Sequence, residues 1–78
     1  MPELLKELQE KFGKSEGLRI FNTILPGIMG DFNKMLEKAG TNMLVTEEYR
    51  LEDGSGVIKV KGKKNANGEI TVEAHFSS

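Results

Sequence analysis

Chemistry in a chain of 78 residues rests on few side chains, and this one offers a single histidine, no cysteine and no tryptophan. His75 stands two residues from Glu73, a spacing that places both on one face of a strand. Hydrolysis or metal chemistry needs a nucleophile beside a base, two carboxylates converging on a cleft, or a fuller ligand set. The other acids do not supply these. Glu52 and Asp53 fall in or beside a turn, and Glu47 and Glu48 project to opposite faces of a strand. There is no HExxH pattern, and Gly54-Ser55-Gly56 joins two strands without opening a helix, the context that phosphate loops need. The sequence therefore assigns no catalytic, cofactor-binding or metal-ligating residue. It calls for no cofactor and no small-molecule substrate, and the expectation is a protein that is not an enzyme.

Two groups of residues suggest binding instead. Leu4, Leu5, Leu8 and Phe12 form an apolar stripe at helical spacing, and Met29 and Met43 add adaptable side chains that suit a protein partner. The same residues can equally fill the chain's own core. The second group is basic: Lys59, Lys61, Lys63 and Lys64, with Arg50 on the preceding strand. Lys59, Lys61 and Lys63 alternate onto one face, where three ammonium groups could follow a phosphate backbone. Glu48, Glu52 and Glu73 on the flanking strands are placed to neutralise that face, and no outward aromatic is present to stack on a base.

The elements that must position these groups follow from hydrophobic period. A helix is expected over 3–12, with Glu3 and Glu7 early, Lys11 late and Gly13 as its stop. A second helical region is expected over 18–39, regular from 31 to 39, with Ser15, Glu16 and Gly17 as a start signal. Pro26 should kink it or break it into two pieces, and 18–25 could even be extended. Gly40 suits the helix end. Beyond it the period shortens to two, giving strands over 44–52, 56–63 and 69–76, with turn sequences at Asp53–Gly56 and Asn65–Gly68. The expected fold class is α+β: N-terminal helices packed on one face of a three-stranded antiparallel meander, all within one domain of 1–78.

Two stretches resemble known families. Leu25-Pro26-Gly27-Ile28-Met29-Gly30-Asp31-Phe32 is similar to the GxxG loop of KH domains, which implies a tight turn between helices that clamps single-stranded nucleic acid. Gly54-Ser55-Gly56-Val57-Ile58-Lys59-Val60-Lys61-Gly62 resembles the hairpin strand of small YbaB-like nucleoid-associated proteins, which implies a dimer with an upstream helix.

Composition constrains the rest. Eleven basic and twelve acidic side chains give a formal charge of -1, without the positive excess usual in a nucleic-acid-binding chain. No apolar run is long enough to cross a membrane, so the chain is expected to be soluble and cytoplasmic, with no membrane partner. Hydrophobic residues make up 37%, enough for one modest core in a chain with no disulfide to support it. A second copy could complete such a core, and the strands at both sheet edges could pair with one. The leading expectation is a small non-catalytic protein-interaction module that either docks a partner or self-associates as a homodimer. The alternatives are a weak nucleic-acid binder using the lysines, and an enzyme subunit or regulator without its own active site.

Overall fold

A computed structural model describes residues 2–78, with side chains described from residue 3 onward. Helix α1 (Pro2–Phe12) and helix α2 (Lys14–Ala39) are separated by one residue, Gly13. Its φ of 94° lies where a side chain is strained, and that corner ends one helix and starts the next. The Gly13 amide donates to the Gln9 carbonyl at 2.9 Å, and the Gln9 side-chain amide donates to the Lys14 carbonyl at 3.1 Å. Helix α2 consequently begins at Lys14 rather than at 18. The residues read as a start signal already lie inside it. Gly17 is buried there because α2 crosses α1 closely, and a Cβ at Gly17 would meet the Gln9 Cα at 2.5 Å.

Pro26 does not divide the helix. Residues 18–25 are helical, and α2 runs unbroken through the proline for 26 residues. An interior proline costs about 3 kcal/mol and glycines about 1 kcal/mol each. Packing offsets this, since Ile28, Phe32 and Leu36 beyond Pro26 are buried and Phe21, Ile24 and Leu25 before it pack against the same core. The ring of Pro26 itself faces solvent.

Strands β1 (Val45–Arg50), β2 (Val57–Lys64) and β3 (Ile70–Ser77) form an antiparallel meander in the order β1-β2-β3. Each turn carries a glycine with positive φ, Gly54 at 74° and Gly68 at 85°. Asp53 Oδ1 accepts from the Ser55 amide at 2.9 Å, and Asn67 Oδ1 from the Glu69 amide at 3.1 Å. These are Asx turns, the local chemistry expected of Asp and Asn at those positions. Tyr49 lies opposite Ile58, which lies opposite Phe76. Glu47, Val60 and Ala74 form the next row, and Val45, Gly62 and Val72 the one after.

That face packs beneath the helices, α1 against β3 and α2 against β1 and β2. Leu4, Leu8, Ile28, Phe32, Leu36, Ile58, Val60 and Ala74 are the buried core. Gly62 makes room in β2 for the Phe32 ring, which a Cβ would meet at 3.0 Å. One residue expected on the packed face escapes cover. Ile70 is 48% exposed, because it opens β3 opposite Lys64 at the far end of the sheet.

Candidate protein-docking groove beside strand β1

The two helices cover the sheet unequally. With α1 over β3, cover beside β1 falls mainly to α2, and between the N-terminal half of α2 and the β1–β2 hairpin lies an open groove of about 450 Å³. Its floor is apolar: Phe12, Ile20, Ile24, Leu51 and Ile58. Only Ile58 of these is fully buried; the other four are half-covered. Ile20 and Ile24 continue the i,i+4 row of Ile28, Phe32 and Leu36 toward the start of α2; they pack at the margin of the core and stay half-covered where they line the groove.

Charged and polar groups border the floor. Arg19 and Glu16 form a two-point ion pair on α2, with Arg19 Nε at 3.1 and 3.0 Å from the two carboxylate oxygens. Hydrogen bonding from Arg19, ahead of its charge, holds the Glu16 carboxyl below the usual carboxylate range. The Thr23 hydroxyl is turned back to the Arg19 carbonyl at 2.7 Å. Tyr49 donates its hydroxyl to Asp31 Oδ2 at 2.8 Å, tying β1 to α2. Burial, then that hydrogen bond and the negative charge of Asp31, raise the phenol above the ordinary tyrosine range. Arg50 also lines the groove, and among the described residues neither it nor Glu48 belongs to an ion pair.

The groove lies beside a free sheet edge. The Leu51 amide donates to the Gly56 carbonyl at 3.0 Å, which together with the register turns the backbone groups of Val45, Glu47 and Tyr49 toward β2. Those of Thr46, Glu48 and Arg50 consequently point away from the sheet. The opposite edge is partly closed. The Phe76 amide, which points out of β3, donates to Glu7 Oε1 on α1 at 3.1 Å, and His75 Nδ1 is 3.3 Å from the same oxygen.

The residues singled out by sequence are scattered relative to this groove. Leu4 and Leu8 belong to the chain's own core, so the α1 stripe docks on its own sheet. Leu5 and Met29 are half-buried, and Phe12 alone of the stripe reaches the groove. Met43 is 56% exposed beside Leu44 at 63%, in the segment leading into β1. Lys59, Lys61 and Lys63 do share the outer face with Arg50, but strand alternation puts Lys64 on the helix side opposite Ile70. Acids interrupt the basic face: Lys61 pairs with Glu73 at 3.0 Å, and Lys59 lies opposite Glu48. Gly27 and Gly30 are inside α2, with Ile28 in the core between them, so the interhelical turn of a KH clamp is not formed. No group of three or more His, Asp or Glu side chains placed to hold a metal occurs among the described residues.

Sequence reasoning missed Ile20, Ile24 and Leu51. The signal was present: Ile20 and Ile24 extend the i,i+4 row of Ile28, Phe32 and Leu36 toward the start of α2. No family model matches this chain, and no curated protein or solved structure is significantly similar to it. Among the described residues no helix is long and apolar enough to cross a membrane.

Proposed function

We propose that this chain is a non-catalytic protein-interaction module whose docking site is the α2–β1 groove together with the free edge of β1. One observation carries the reading. The half-covered floor of Phe12, Ile20, Ile24 and Leu51 lies alongside the strand whose outward backbone groups, among the described residues, have no strand beside them. A partner segment that adds to β1 gains main-chain hydrogen bonds, while its apolar side chains remove the groove floor from water. The charged border at Arg19, Arg50 and Asp53 would select the flanking residues of that partner.

Substitution Ile24→Arg places a charge on the floor at a half-covered position bordering the core, and far-UV circular dichroism checks that the variant keeps the fold. In affinity capture from the source cell's extract, proteins bound by the wild-type chain should be lost with Ile24→Arg. They should be retained when Lys59, Lys61 and Lys63 are all changed to Gln. The opposite pattern, with salt-dependent oligonucleotide binding lost in the lysine variant, would move the function to the outer face of the sheet.

A further inference from the structure

We infer that the occupant of this surface is a second copy of the chain, with β1 pairing antiparallel to its counterpart about a two-fold axis at Tyr49. The inference rests on the docking site proposed above and names its partner. An antiparallel pair joins residues of like orientation, so the two-fold registers spanning most of β1 centre on Glu47, Glu48, Tyr49 or Arg50. Three of them oppose like charges. Centring on Glu47 sets Glu47 against itself, centring on Glu48 does the same with Glu48, and centring on Arg50 opposes two arginines and sets Glu48 against Glu52.

The Tyr49 register differs. Glu48 faces Arg50 of the second copy, and Arg50 faces its Glu48, so two opposite-charge pairs form about one axis. Among the described residues neither has an ion-pair partner within the chain. Both also carry the outward backbone groups, so each pair is a hydrogen-bonded pair of the new ladder. The same operation extends the sheet to six strands and leaves the helices of both copies on one face. The two grooves then face each other across the axis, each beside the half-covered Ile20 and Ile24 of an α2 helix. Glu47, half-buried on the helix side, falls beside Leu51 of the second copy, near the groove border that holds Arg19.

Sedimentation equilibrium of the full chain tests the assembly, with far-UV circular dichroism on every variant to confirm the fold. The wild-type chain should dimerise, Glu48→Arg and Arg50→Glu should each weaken the dimer at least tenfold, and the double swap should restore it. The register has its own readout because the chain contains no cysteine. Tyr49→Cys should cross-link on mild oxidation, since non-hydrogen-bonded cross-strand neighbours lie within disulfide reach. Glu47→Cys, displaced from its own copy across the axis, should not. A chain that stays monomeric at all concentrations, yet loses captured proteins with Ile24→Arg, overturns the second copy and leaves the docking site standing. A dimer indifferent to both Ile24→Arg and the charge swaps overturns the two together.

Discussion

At the scale of residues, Tyr49 joins packing to electrostatics: its ring lies against the core while its hydroxyl is held by Asp31. Burial and the nearby carboxylate both disfavour the phenolate, so the folded pKa lies above that of the unfolded chain. The stability this contributes is fully present below the unfolded value of about 10 and is lost as pH rises beyond it. Tyr49 is the chain's one tyrosine, which makes the test direct. Absorbance near 295 nm should show phenolate appearing only together with unfolding in an alkaline titration. A phenolate that forms while the far-UV signal is intact would show that Asp31 and burial do not hold the proton. The tyrosine's place on the apolar side of β1 follows from alternation alone, but its link to Asp31 depends on where α2 crosses the strand.

At the scale of elements, the glycines of α2 divide by what surrounds them. Gly17 sits at the crossing with α1, whereas a Cβ at Gly27 or Gly30 would meet no atom within 4 Å. Gly17→Ala should therefore destabilise the fold by about 1–3 kcal/mol through overpacking of backbone against backbone. Gly27→Ala and Gly30→Ala should each stabilise it by roughly 0.5–1 kcal/mol, because both lie in helical, exposed positions. Chemical denaturation of the three variants checks both directions, and the two signs must differ. The contrast also explains a misreading of the sequence. Gly17 resembles a helix start and Gly27–Gly30 a loop, since glycine has the same local signature in a cap, a turn or a close crossing.

For the whole molecule, the uneven placement of two helices on three strands leaves one side of the core under-covered. Helix α2 buries Ile28, Phe32 and Leu36 in its C-terminal half, whereas Ile20, Phe21, Ile24 and Leu25 in its N-terminal half are only half-covered. If a second copy covers that side, folding and association are linked by mass action. The melting temperature should then rise by about 3–5 °C for each tenfold increase in protein concentration. It should become independent of concentration in Ile24→Arg. A melting temperature independent of concentration in the wild-type chain would mean that one copy holds the fold alone.

Local period and turn chemistry determined the α+β class, the meander and the face each strand buries. Apolar alternation at Ile58 and Val60, and the turns at Gly54 and Gly68, are short-range properties already present in the order of residues. Tertiary structure decided what depends on contacts distant in sequence: the continuity of α2 through Pro26, the burial of Leu4 and Leu8 within the chain itself, and the groove at Ile20, Ile24 and Leu51. A helix period shows which side chains share a face. Which face meets the sheet, and how much of it remains bare, is set by the packing of α1 and α2 against one another and against three strands.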